Sequence, residues 1–254
     1  MAAARAVRSS GIDFVSAYAD VAARLVATIS SCDLGVRVPA CPGWSAYDLV
    51  VHVGNIHAWA ATIVETRRAA PHQDDHPHAR RAPVVARWYS GKAEDLLAVL
   101  RDAHPSDECW TFAARDSTVG FWLRRQTHEA QVHLVDLHQA AGRTTDLDPA
   151  LAADAVAEVL EVFLPRMHER GRPAELTGPL VVRALDTEDA WTLTPRADGA
   201  PEVMRGDHAD DLVEAPAAEL LQVLWKRLPY DHDSVRFCGD LDRVRAFLRS
   251  PLTP

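Results

Sequence analysis

Three side chains in this sequence have the types and the spacing to hold a metal ion: His52, Glu129 and His133. Glu129 and His133 are four residues apart, which stacks their side chains on one helix face about one turn from each other. His52 lies in a different apolar-periodic segment. With Leu49 at zero on a helical wheel, Val53, Ile56, Ala60 and Ile63 fall within about 40° and His52 at about −60°, on the inward side. His57, at about +80°, lies near the edge of that stripe and is the weaker candidate. On the Glu129 segment, with Leu123 at zero, Ala130, Leu134, Leu137 and Ala141 fall within about 40°. Trp122 and Ala140 extend the stripe to about −100°, with His133 at about −80° and Glu129 at about −120°.

An unpartnered buried carboxylate is costly, and a buried imidazole needs hydrogen bonds. A divalent cation satisfies both. Two imidazoles and one carboxylate leave the fourth position on zinc open, as in a catalytic site; nickel, iron or cobalt also accept this set. The same spacings fit a hydrogen-bonded core histidine and a surface Glu/His pair, and His52 joins the set only as the other inward histidine.

The elements that must position these residues follow from periodicity and caps. Ile12–Ser30 is an amphipathic helix, and Cys32–Trp44 a loop with Pro39, Pro42 and Gly43. Ser45, with Asp48 three residues on, caps a second helix that runs to about Arg67. Residues 69–83 are turn-like; a third helix covers Arg87–Asp102 despite Gly91, and a fourth covers Gly120–Ala141, terminated by Gly142. After a linker at Thr144–Pro149, Asp148 and Pro149 start a helix over Ala150–Glu169 that Pro165 should kink or cut short. Short strands at Leu180–Leu185 and Ala190–Thr194, a helix at Pro216–Arg227, a strand at Val235–Cys238 and a helix at Leu241–Leu248 complete the reading, with turns at Asp186–Asp189 and Asp198-Gly199. The expected fold is α plus α+β: a four-helix bundle over 1–143, then a small α+β domain over 149–254.

At the candidate ligands the sequence resembles a known family. Cys41-Pro42-Gly43-Trp44-Ser45-Ala46-Tyr47-Asp48-Leu49-Val50-Val51-His52 is similar to the P-[GS]-W-[ST]-x-x-D-[LV]-x-x-H segment of the mycothiol-dependent maleylpyruvate isomerase family. The run from Arg125 through Glu129 and His133 to Asp136 resembles that family's R-x-x-x-E-x-x-x-H-x-x-D helix, and Ala140-Ala141-Gly142 closes it alike. The resemblance spans nearly the whole chain. It implies a DinB-like metal-binding bundle followed by a sterol-carrier-like α+β domain. It further implies that His52, Glu129 and His133 bind a divalent metal, usually zinc, and that mycothiol, the small thiol of actinobacteria, is the cosubstrate. Family members include isomerases and S-transferases acting on electrophiles. A thiol with a pKa near 8.5 is mostly protonated at neutral pH, and a cation at the open position favours its thiolate. The helix ending Leu224-Trp225-Lys226-Arg227 resembles a family helix ending W-L-x-G-R, with the Trp shifted and Lys226 in place of Gly. Arg227 is the candidate catalytic residue, as holder of a carboxylate; its alternative is a helix-end arginine on the dipole.

Other residues read as structural. His72, His76 and His78, with Asp74 and Asp75, form a solvated loop. Asp136 either orients a ligand or sits in water on the outer flank. Arg125 pairs along its own helix, Cys41 packs, Trp44 closes the helix entry and Asp240 caps the last helix. The net charge of −9 gives no general attraction to nucleic acid or anionic membrane. Four scattered cysteines, no apolar leader run over Met1–Gly11 and no apolar stretch of spanning length point to a cytoplasmic protein. The pattern leaves the oligomeric state open between a monomer and a small homo-oligomer. The leading expectation is a metal- and mycothiol-dependent transferase or isomerase acting on a small electrophile. A metal-dependent hydrolase, which needs no added thiol, and a non-catalytic thiol- or small-molecule-binding protein are the alternatives.

Overall fold

The computed structural model describes residues 11–113 and 116–254. Residues 1–10, in which no leader run was expected, and 114–115, in the loop before the fourth helix, lie outside the described residues.

The helical unit contains α1 (Phe14–Ser31), α2 (Ala46–Thr66), α3 (Ala82–Asp102) and α4 (Val119–Ala140). Ser45 and Asp48 form the expected capping box: the Ser45 hydroxyl accepts from the Asp48 N–H, and the Asp48 carboxylate accepts from the Ser45 N–H. Gly142, at φ +68°, stands two residues past α4. The third helix begins at Ala82, earlier than the expected Arg87. Pro83 lies in its first turn, where a missing N–H costs nothing, so the proline starts the helix and does not prolong the loop. α1 packs on α3 and α4, and α2 on α3 and α4. Their shared core includes Tyr18, Leu49, Ile63, Tyr89, Leu96, Trp122, Leu134 and Leu137.

A second compact unit is built on residues 148–224 and 230–254; residues 225–229 pack with the four helices. It contains α5 (Pro149–Glu158) and α6 (Leu164–Glu169), β1 (Leu180–Ala184), β2 (Ala190–Pro195), β3 (Pro201–Arg205), β4 (Leu212–Ala215), α7 (Ala217–Leu224), β5 (Arg236–Cys238) and α8 (Leu241–Arg249). The sheet order is β3-β2-β1-β4-β5; β1 and β4 are parallel and the other neighbours antiparallel. Asp148 caps α5 and Asp240 caps α8, as expected.

Pro165 does not end the fifth helix. A single π turn, Val159–Phe163, joins α5 to α6, and the Leu164 N–H reaches the Val159 carbonyl. The wider turn makes room for a ring that would otherwise strike the carbonyl four residues back. β3 and β4 were not anticipated. β3 is an edge strand with no apolar alternation, and Pro201 is tolerated at its start. The helix expected to reach Arg227 stops at Leu224, because Lys226 adopts the left-handed conformation at φ +62°. No helix among the described residues is long and apolar enough to cross a membrane.

Candidate metal centre

α2 and α4 bring His52, Glu129 and His133 together. One ligand atom from each lies within 4.8 Å of the others, the one such group among the described residues. Glu129 Oε1 is 3.6 Å from His52 Nε2 and 3.2 Å from His133 Nε2. Two ligands held at about 2.1 Å by a tetrahedral ion stand about 3.4 Å apart. The two spacings to Glu129 bracket that value, so one carboxylate oxygen and two imidazole nitrogens are grouped at the scale a small divalent cation needs. The imidazole rings stand nearly perpendicular, centroids 5.4 Å apart.

Each of the three side chains is held from behind. Arg125, 3% exposed, donates from Nη2 to Glu129 Oε2 at 3.0 Å and leaves Oε1 toward the histidines. Asp136 Oδ2 lies 2.8 Å from His133 Nδ1; a carboxylate accepts, so Nδ1 carries the proton and Nε2 faces the centre. Trp44 lies against His52, ring centroids 4.9 Å apart. Burial resists ionisation of Glu129, but His133, His52 and Arg125 outweigh it and hold its carboxyl well below the usual range. Burial likewise resists protonation of His133, but Glu129 and Asp136 push its pKa up to about 9 in the metal-free protein.

The wheel misjudged the two histidines of α2. The His52 side chain is 35% exposed, whereas His57 is fully buried. α2 packs on α3 as well as α4, so its buried arc turns toward Val50, Gly54, His57 and Val64. His52, Ile56 and Trp59 are left half-buried along one flank. His57 is a satisfied core residue: its Nδ1–H donates to Gln126 Oε1 at 2.8 Å, and its Nε2 accepts from the Tyr89 hydroxyl at 3.2 Å. Burial lowers its pKa to about 4.

Asp136 is not on a solvated flank. It is fully buried and paired with Arg227: Nε to Oδ1 and Nη2 to Oδ2, both 2.8 Å. Burial of Asp136 is outweighed by these bonds and by His133, which keep its carboxyl below the ordinary range. Arg227 lies in the turn beyond α7, directly after the left-handed Lys226. Cys41 approaches both partners, its Sγ 3.8 Å from Asp136 Oδ2 and 3.8 Å from Arg227 Nη2. Burial, reinforced by Asp136 against the opposing pull of Arg227, pushes the Cys41 thiol up to about 11, so it packs as a neutral thiol. Sequence reasoning could find Asp136 through its three-residue spacing from His133; no local signal ties Arg227 to it. His72 stacks on Trp59, centroids 4.2 Å apart, while His76 and His78 are exposed. All four cysteines are free.

Residues 15–138 match the family described as the mycothiol maleylpyruvate isomerase N-terminal domain, and residues 150–246 match its C-terminal domain. Two uncharacterised proteins of Mycobacterium tuberculosis, from strains CDC 1551 / Oshkosh and ATCC 25618 / H37Rv, are each 30% identical over 160 residues. Each alignment covers 61% of this chain and 80% of the relative. Among solved structures, the chain is similar to the mycothiol-dependent maleylpyruvate isomerase, with a TM-score of 0.61 and 13% identity over 89% of this chain and 91% of that one. The H52A mutant of that isomerase gives a TM-score of 0.62 with the same identity and coverage.

Proposed function

The chain belongs to the mycothiol maleylpyruvate isomerase family of enzymes, and on that premise we propose that it uses a divalent metal, most simply zinc, and mycothiol to act on a small electrophile, as an isomerase or S-transferase. The observation that carries this reading is the convergence of two imidazole nitrogens and one carboxylate oxygen from α2 and α4. A cation held there supplies the positive charge that favours the thiolate of a small thiol at neutral pH.

The chain's own residues prepare the place. Arg125 leaves Glu129 one oxygen to offer, and Asp136 fixes which His133 nitrogen faces inward. The half-exposed His52 side chain lies on the open flank of the group, with Trp44 as its wall. A thiolate adding to an activated double bond converts it to a single bond, which rotates before the thiolate is expelled. The same nucleophile, meeting a substrate with a leaving group or an epoxide, gives a stable conjugate instead.

The test is elemental analysis of purified wild type beside His133→Ala, followed by product detection on an electrophile panel with and without mycothiol. We expect near-stoichiometric metal in the wild type, its loss in the variant, and turnover only with thiol. A wild type that takes up no zinc on titration overturns the reading. Thiol-independent turnover by the metal-loaded protein assigns the centre to hydrolysis.

A further inference from the structure

We infer that Arg227 is a positioning residue for the metal ligand His133, acting through Asp136, and not the holder of a substrate carboxylate. This rests on the metal-centre reading above and assigns a role to the turn Trp225–Pro229, which packs with the four helices.

The guanidinium has five N–H bonds. Nε–H and one Nη2–H go to the two oxygens of Asp136, and one Nη1–H goes to the Trp225 carbonyl at 2.6 Å. The Cys41 sulfur lies 3.8 Å from Nη2. Little of the fork is left for a ligand, and the side chain is only 11% exposed. The turn is itself fastened to α4, because Gln139 Nε2 donates to the Arg227 carbonyl at 3.0 Å. Both arginines behind the centre lie near the Trp225 ring, Arg227 at 5.4 Å and Arg125 at 5.9 Å from its centroid.

Asp136 is the link. A fully buried carboxylate holds its charge only with strong partners, and it has two: His133 Nδ1–H and the two-toothed Arg227. With Arg227 in place, Asp136 remains a charged acceptor, and His133 is held in the tautomer whose Nε2 faces the centre. Without it, Asp136 is left with His133 and the weak thiol donor of Cys41 for a buried charge, and the ring loses its fixed support. Outer partners of this kind carry about 10–100-fold in metal affinity.

The experiment uses the full-length protein, stripped of metal and titrated with zinc against a competing chelator. Wild type, Asp136→Asn, Arg227→Lys, Arg227→Met and the Asp136→Asn/Arg227→Met double variant are compared, with circular dichroism to check folding. Arg227→Met and Asp136→Asn should each weaken zinc binding by about 10–100-fold, Arg227→Lys less. The double variant should be no weaker than the poorer single, because both changes interrupt one chain of contacts. Zinc affinity unchanged in Arg227→Met, with KM for an electrophile raised, overturns the inference and returns Arg227 to substrate binding. Additive losses in the double variant also overturn it. A wild type that binds no zinc sinks the underlying metal reading instead, so the two failures are distinguishable.

Discussion

The two carboxylates at the centre each have their own arginine: Glu129 has Arg125 and Asp136 has Arg227. Their charges are therefore balanced within the protein, and on the proposed function a divalent cation held between neutral imidazoles would keep the site net positive, the condition an anionic thiolate requires. Five residues along α2 from His52, His57 shows the opposite economy. It is sealed among Gln126, Tyr89 and Tyr18 and remains neutral, with its pKa lowered to about 4. In the unfolded chain the same ring protonates near pH 6.5, so the unfolded state binds the extra proton first as pH falls. This contribution to stability is complete above about pH 6.5 and is lost between there and pH 4, amounting to about 2–3 kcal/mol. Urea unfolding at pH 7.5 and 4.5 checks it: His57→Gln should show a smaller acid loss than wild type by that amount. Equal losses in the two proteins would remove His57 as the cause. Both histidines of α2 were visible in the sequence, but their burial was not. A wheel built on apolar residues alone cannot know that a second helix covers the His57 side.

That second helix is admitted by Gly54. A Cβ added there would strike the six-membered ring of Trp88 on α3, inside van der Waals contact. Alanine gains about 0.5–1 kcal/mol of helix propensity over glycine, while forcing an extra methyl into a packed seam costs about 1–3 kcal/mol. The steric term wins, so Gly54→Ala should lower stability by about 1–2 kcal/mol in denaturant unfolding. In a Trp88→Ala background the same change should become neutral or stabilising. If it destabilises equally in both backgrounds, the ring is not the obstacle. Signals confined to a few neighbouring residues were legible at this scale. The Ser45–Asp48 box, the Asp148 and Asp240 caps and Gly142 all stand where the sequence placed them. Elements that depend on distant partners were not. β3 is a strand because β2 lies beside it, and Pro165 is absorbed by a π turn that no local pattern announces.

Across the molecule, the helical half followed by a mixed sheet was legible because the hydrophobic period changes along the chain. The juxtaposition of Glu129 and His133 was legible because four-residue spacing is a helix property. The Asp136–Arg227 pair, 91 residues apart in sequence, was not. A ligand that binds only the folded state stabilises the whole, by about 2.7 kcal/mol at a hundredfold excess over its Kd. Saturating zinc should therefore raise the Tm of wild type by about 5–10 °C and leave that of His133→Ala unmoved. An equal rise in both would place zinc elsewhere on the chain. The order of residues also sets an order in time. At ribosomal rates of about 5–20 residues per second, Arg227 is made about 5–20 s after Asp136. For that interval a nascent chain carries His52, Glu129 and His133 but lacks Arg227. If the metal reading and the positioning role inferred for Arg227 both hold, the growing chain would release a captured ion more readily than the finished one, and secure metal loading would belong to the completed polypeptide.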